Sequence, residues 1–276
     1  MEGFPFNLKK VISFYRIKDW KAYFLWGIFG FLLAEGFSHS FSEIFLYFLS
    51  GSLFLAFGFS VNNFFDVKED FYKGDFKLIK RNPRSFFLSV LPGIVGLLIC
   101  YFIGFEVFLF SFFALLLGFF YSAPPLRFKS RPFLDLISHG LFAGFLIIIF
   151  PFLFFEKHFS NFHFLIAFSF FYLSVMYEMR NHIEDFDSDL KAGLKTTACY
   201  LGYEKSKRFL NILHLFYPSF LFLPFIFLQK IFLFAFIFWS FIFLSLFFIK
   251  RNYVIMDTYY PIFPYLLLLA SSIYGD

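Results

Sequence analysis

Apolar runs recur from one end of this chain to the other, and that recurrence narrows the possible folds more than any other feature. A helix needs about 20 apolar residues to cross the roughly 30 Å of bilayer hydrocarbon. Inside that layer the backbone must satisfy its own polar groups, so runs of this length read as helices. Nine stretches qualify once tilt is allowed: about 21–38, 43–62, 86–103, 105–121, 135–155, 162–181, 209–228, 231–249 and 257–274. Short turns at 104 and 229–230 make antiparallel hairpins of their neighbours. The expected fold is an all-α polytopic membrane protein with nine transmembrane helices. Composition points the same way: 60% of residues are hydrophobic, against about 45–50% in soluble domains. The 57 Phe residues carry no aromatic cage by abundance alone, because lipid-facing positions ask only for an apolar side chain.

The charges order these spans. Of the 24 Lys and Arg residues, 22 fall before span 1 or in the 2–3, 4–5, 6–7 and 8–9 connections, leaving Lys157 and Lys230 for the other face. The positive-inside rule then puts the N-terminus on the cytoplasmic side of the cell membrane. Topology accounts for the net charge of +5, so no nucleic-acid partner is expected. No small-residue cleavage site follows Lys9 and Lys10, and the first run is expected to be kept as a span. Cys100 and Cys199 form no CxxC pair, which argues against a disulfide framework or a thiolate metal site.

A pattern repeats along the chain. Asn62 to Gly74 and Asn181 to Gly193 both read N-x-x-x-D-x-x-x-D-x-x-x-G, one ending span 2 and the other span 6. The chain therefore reads as a single domain, 1–276. It has an N-terminal segment with span 1 (1–42) and two pseudo-repeated four-helix halves (43–155 and 162–274). Repeats of this kind place sites at the interface between halves. Spacing of four stacks side chains on one helix face, giving an Asn62–Asp66–Asp70 stripe and an Asn181–Asp185–Asp189 stripe. Rows of carboxylate beside an apolar core need a compensating charge, and a divalent cation supplies it. Oxygen-only ligands favour Mg²⁺, Ca²⁺ or Mn²⁺; Mg²⁺ habitually binds one or two carboxylates plus phosphate oxygens. Between the halves, Tyr121 to Lys129 follows span 4 on the same side. Its proline pair is expected to extend the chain, setting Arg127 and Lys129 on one side of an extended segment, where Arg forks onto phosphate oxygens and Lys acts as a point charge.

On these residues the chain resembles the UbiA superfamily of intramembrane prenyltransferases. The first stripe is similar to the family's N-D-x-x-D-x-x-x-D motif, the second to its later Asp-rich motif, and Tyr121 to Lys129 to its Y-S-x-x-P-x-R-x-K loop. The resemblance implies nine helices around a central cavity, with Mg²⁺-bound prenyl diphosphate at the cytoplasmic mouth and a lateral opening to lipid. Asn63 stands where the family usually has the motif's first Asp, and His182 holds the corresponding place in the second motif. An Asn carbonyl still coordinates Mg²⁺, so the enzyme reading is kept. Glu69 and Asp187 are the carboxylates to which a ligand position would shift.

The expected reaction is Mg²⁺-dependent transfer of a prenyl group from its diphosphate to a hydrophobic acceptor in the membrane. Asn62, Asp66, Asp70, Asp185 and Asp189 are the metal candidates. Asn63, Tyr121, Arg127, Lys129, Lys73, Asn181, Lys191 and Lys195 join Asn62 as substrate-binding candidates. The four aspartates and Glu178 are the catalytic candidates; Glu178 qualifies because an ionisable group inside a span is functional by default. Of the histidines only His182 is drawn in, as a motif neighbour, and His139 reads as packing. Tyr121 to Asp135 is most similar to members that prenylate carotenoids; chlorin, quinone-ring and lipid acceptors stay open. A pseudo-symmetric cation-coupled transporter and a non-catalytic isoprenoid-binding homologue are the alternatives.

Overall fold

The structure is a computed structural model and describes residues 12–72, 82–249 and 251–274; Lys73 lies outside them. Among the described residues every regular element is helical and none is a strand. In chain order the helices are α1 (Lys21–Leu33), α2 (Phe41–Phe65), α3 (Val67–Tyr72), α4 (Pro83–Ile103), α5 (Phe105–Ser122), α6 (Leu134–Phe154), α7 (Asn161–Glu184), α8 (Phe186–Ala192), α9 (Thr197–Leu201), α10 (Tyr203–Phe225), α11 (Lys230–Ile249) and α12 (Ile262–Tyr274).

Among the described residues, six helices are long and apolar enough to span a bilayer: α2, α4, α5, α6, α7 and α11. They coincide with six of the nine expected spans. The other three stretches are helical too, but each falls short in its own way. Helix α1 has 13 residues, about 20 Å of rise. The first turns of α10 carry Glu204, Lys205, Lys207 and Arg208. The last stretch is split into a π turn at Ile255–Tyr259 and α12.

The two helices that carry the repeated motifs start alike. Ser40 caps α2 in a capping box with Glu43, and Ser160 caps α7 in one with His163; such caps are worth about 1 kcal/mol. Helix α4 opens on Asn82 and Pro83, a cap followed by a proline that needs no donor there. Helix α2 lies along α4, α4 along α5, α1 along α6 and α7 along α10. At the end of the bundle away from the acidic motifs, Lys157 bonds Glu35 at 2.9 Å.

One contact matters most for the site. Helix α6 passes through a π turn at Leu141–Phe145, and Gly144 lies in it. A Cβ on Gly144 would fall 2.5 Å from the backbone oxygen of Phe170 in α7. Only glycine permits that approach, a small-residue contact of the kind that draws membrane helices together. It brings the stretch of α6 just before the π turn, with Asp135 and His139, against Ser174, Glu178 and His182 of α7.

Candidate active site

Both motif helices stop at the second position of the repeat, its first carboxylate. Asp66 is the C-cap of α2 and Asp185 the C-cap of α7, with closely similar backbone angles. A short helix follows each break. The four-residue hydrogen-bond ladder nevertheless runs on: Asp66 N to Asn62 O and Asp70 N to Asp66 O are both 2.9 Å, and the equivalents at Asp185 and Asp189 are 2.8 and 2.9 Å. Helices α3 and α8 pack against each other, so the two motifs meet at one end of the bundle.

Between them opens a cavity of about 590 Å³. Asn62, Asp66 and Glu69 line its mouth from the first half, and Asn181, Asp185 and Asp189 from the second. Its body is apolar and descends past Phe54, Phe110 and Ile147 to Tyr47 and Phe150. From Asp66 to Tyr47 along α2 that depth is about 28 Å at the helical rise.

On the first-half side the basic loop supplies counter-charge. Lys129 ion-pairs with Asp66, both well buried. Arg127 Nη2 lies 2.5 Å from Glu69 Oε1 and 4.0 Å from Asp66 Oδ1. Burial pushes the Asp66 carboxyl up from the usual aspartate value, and Lys129 opposes that shift. Asn62 Oδ1 accepts from the Ser122 hydroxyl at 3.0 Å, which ties α2 to the end of α5.

On the second-half side the neighbours of the motif are different. Glu178 Oε1 accepts from the Tyr121 hydroxyl and lies 3.1 Å from His182 Nε2. Glu178 Oε2 is 3.2 Å from Asn181 Nδ2 and 3.4 Å from His139 Nε2. Tyr121, His139, Glu178 and His182 all line the cavity.

The expected site residues divide accordingly. Asn62, Asp66, Tyr121, Lys129, Glu178, Asn181, Asp185 and Asp189 share the one cavity. Asn63, Asp70, Arg127, Lys191 and Lys195 do not line it. Asn63 is buried, and its Nδ2 donates to Phe14 O at 2.9 Å, away from the mouth. Lys191 and Lys195 are exposed. The extended segment expected after the proline pair is instead a tight turn: Arg127 has positive φ, and Phe128–Ser130 forms a 3₁₀ turn. Arg127 N bonds Ala123 O and Ser130 N bonds Arg127 O, both at 2.9 Å. That turn sends Arg127 and Lys129 to different carboxylates. His139, expected to be packing, faces the cavity; the rule that singled out Glu178 inside a span applied to it and to Asp135 equally. Glu69 takes a lining position within the first motif, whereas Asp187 is exposed.

The donor set at the mouth suits a hard divalent cation. It is carboxylate and amide oxygen throughout, and Glu69 Oε2 is buried with no hydrogen-bond partner. Among the described residues no three acidic, His or Cys side chains converge closely enough to hold an ion alone. That is the situation of Mg²⁺ when substrate phosphate completes the shell. Asp66, Glu69, Asp185 and Asp189 would hold it, with the amides of Asn62 and Asn181 beside them.

The sequence model of the UbiA prenyltransferase family matches residues 23–260. A UbiA homolog from Archaeoglobus fulgidus, solved with GPP and Mg²⁺, superposes with a TM-score of 0.68 at 21% identity, over 96% of this chain and 98% of that one. The same homolog with DMAPP and Mg²⁺ gives 0.69, also at 21% identity and over the same shares. A digeranylgeranylglyceryl phosphate synthase structure gives 0.73 at 18% identity, over 97% of this chain and 99% of its own. At these identities the likeness concerns the fold. A search of curated protein sequences returned no match.

Proposed function

Since the chain belongs to the UbiA prenyltransferase family, and is by that membership an integral membrane prenyltransferase, we propose that it transfers a prenyl group from a Mg²⁺-bound prenyl diphosphate to a lipophilic acceptor. The observation that carries this reading is the cavity: carboxylates and amides from both halves at its mouth, an apolar body beneath. The diphosphate sits at the mouth and the prenyl tail in the body. The solved Archaeoglobus fulgidus homolog, with GPP or DMAPP and Mg²⁺ bound, supports that assignment. Nine spans, a cytoplasmic N-terminus and a cytoplasmic mouth in the cell membrane remain our reading of the charge distribution.

In this scheme the residues divide the work. Asp66, Glu69, Asp185 and Asp189 hold the ion, and Mg²⁺, when bound, offsets charge on the leaving diphosphate. Lys129, now on Asp66 and lining the cavity, stabilises the charge that develops on the anion, while Arg127, now on Glu69, offsets that carboxylate from outside the cavity. The apolar body keeps water from the allylic fragment. The acceptor enters the same body; carotenoid, quinone-ring, chlorin and lipid acceptors all meet its apolar lining. The test is turnover of labelled prenyl diphosphates by purified protein with Mg²⁺. Asp66→Ala and Asp185→Ala are each expected to abolish it, and unchanged turnover in either variant would remove the proposed metal site.

A further inference from the structure

Ion and diphosphate occupy the mouth of the cavity, and the apolar body beneath has a defined length. The face of α2 that lines it reads Tyr47, Gly51, Phe54, Gly58, Asn62 and Asp66 from floor to mouth. Steps of three or four residues keep to one side of a helix. At Gly51 and Gly58 an added Cβ would meet nothing within 4 Å. Bulk is also drawn aside: the rings of Phe54 and Phe57 lean onto α4 at Gly96 and Gly93, where a Cβ would fall 2.5 and 2.6 Å from them. A groove therefore runs along α2 from Asn62 down to Tyr47.

Tyr47 closes that groove. Its side chain is buried, and its hydroxyl donates to Gly27 O of α1 at 2.8 Å. Around the ring stand Phe31 of α1 and Phe150 and Phe154 of α6, at 5.6, 5.5 and 5.5 Å between centroids, with Phe155 at 5.2 Å. A ring held on these sides is packed like a core and does not swing aside as a single exposed rotamer would. From Asn62 to Tyr47 the helix rises about 22 Å. An isoprene unit has four carbons along its chain and extends about 5 Å at ordinary bond lengths. Four units fit that depth and a fifth does not.

We propose that Tyr47 is the floor that sets donor length, and that the donor is a prenyl diphosphate of four isoprene units lying along α2. This rests on the prenyl-transfer reading above and adds the length of the substrate to it. The glycines mark depth on the same scale. Gly58 lies about 6 Å below Asn62, just past the first unit, and Gly51 about 16 Å below it, just past the third. A leucine at either position fills the groove at that depth and shortens the tail it accepts.

The experiment uses full-length protein in detergent with Mg²⁺. Calorimetry reads the Kd of prenyl diphosphates with one to five isoprene units, corrected for partition into micelles, for wild type, Gly51→Leu, Gly58→Leu and Tyr47→Ala. Wild type is expected to bind the four-unit donor most tightly and the five-unit donor at least about tenfold more weakly, the scale of forcing excess carbon into a packed site. The tightest donor should shift to three units in Gly51→Leu and to one in Gly58→Leu, and Tyr47→Ala should remove the five-unit penalty. Equal binding of four and five units by wild type overturns the floor; that is the result if the tail leaves sideways into lipid. An optimum that stays at four units in both leucine variants, or a penalty that persists in folded Tyr47→Ala, overturns it too. If Tyr47→Ala does not fold, the glycine variants carry the test, since their added Cβ atoms meet nothing. Wild type that binds no donor of any length contradicts the prenyl-transfer reading and the length assignment with it.

Discussion

The two acidic motifs are copies in sequence and neighbours in space, yet they look out on different chemistry. The first faces a basic loop: Lys129 holds Asp66 and Arg127 holds Glu69. The second is continuous with a carboxylate–imidazole row, in which Glu178 and His182 lie on the same helix as Asn181 and Asp185. The repeated pattern is symmetric in sequence, and the loop carrying Arg127 and Lys129 breaks that symmetry by pairing with one motif only. The difference teaches that a repeated ligand pattern need not mean a repeated task. The first side meets two cations, the second a cluster of Tyr121, His139 and Glu178.

The comparison yields predictions of decreasing size. Asp66→Asn and Asp185→Asn, one from each motif, are each expected to lower turnover by about 10²–10³-fold, the scale of losing a pre-organised charge at the reacting group. The third repeat positions should part company: Asp189 lines the cavity and Asp70 does not. Asp189→Asn should cost at least about tenfold more activity than Asp70→Asn, measured with the same donor; equal losses would restore full symmetry between the motifs.

Lys129→Met leaves Asp66 buried without its partner. Breaking such a pair costs about 3–5 kcal/mol, so the unfolding midpoint should drop in metal-free protein and partly recover with Mg²⁺ and diphosphate. No recovery would separate the lysine from the ion site. The pH response has a defined sign. Because burial raises the Asp66 carboxyl, its contribution to metal-free stability is present at low pH and is lost as pH rises through the raised value. Mg²⁺ binding needs the carboxylate, so stabilisation by Mg²⁺ with donor should grow over the same interval, above the ordinary aspartate range. Asp66→Asn should flatten both trends in thermal unfolding.

Gly144→Ala tests how the second side is assembled. Its Cβ would meet the Phe170 backbone at 2.5 Å, a clash worth about 1–3 kcal/mol. It should loosen α6 from α7 and lower both the unfolding midpoint and turnover. The smallest effect is expected for Lys191→Ala and Lys195→Ala: both side chains are exposed, and a change in donor KM of about twofold or less, removed by salt, fits solvated lysines.

Much of this was legible in the chain, and the limits have a physical origin. Hydropathy over a bilayer-sized window found α2, α4, α5, α6, α7 and α11, because lipid demands length and apolarity together. Repeat spacing found Asn62, Asp66, Asn181, Asp185 and Asp189, since four residues return to the same side of a helix. Rotation about the helix axis was harder to read. Helix α2 is apolar on nearly every side, so nothing told Asn62, which faces the cavity, from Asn63, which faces the N-terminal segment. Helix breaks at Asp66 and Asp185 were not visible either, as neither motif contains Gly or Pro at that point. Asp135 and His139 stood in an apolar run and carried the same signal as Glu178. Their meeting with α7 depends on the approach at Gly144, which sequence spacing does not encode.

The central claim is that both motifs bind one ion and one diphosphate. Its most direct measurement is Mg²⁺-dependent binding of geranyl diphosphate by calorimetry to wild type, Asp66→Ala, Asp185→Ala and the double variant. One shared site predicts that each single change removes binding nearly as completely as both, a strongly non-additive cycle. Additive losses, or full-strength binding after either single change, would contradict it.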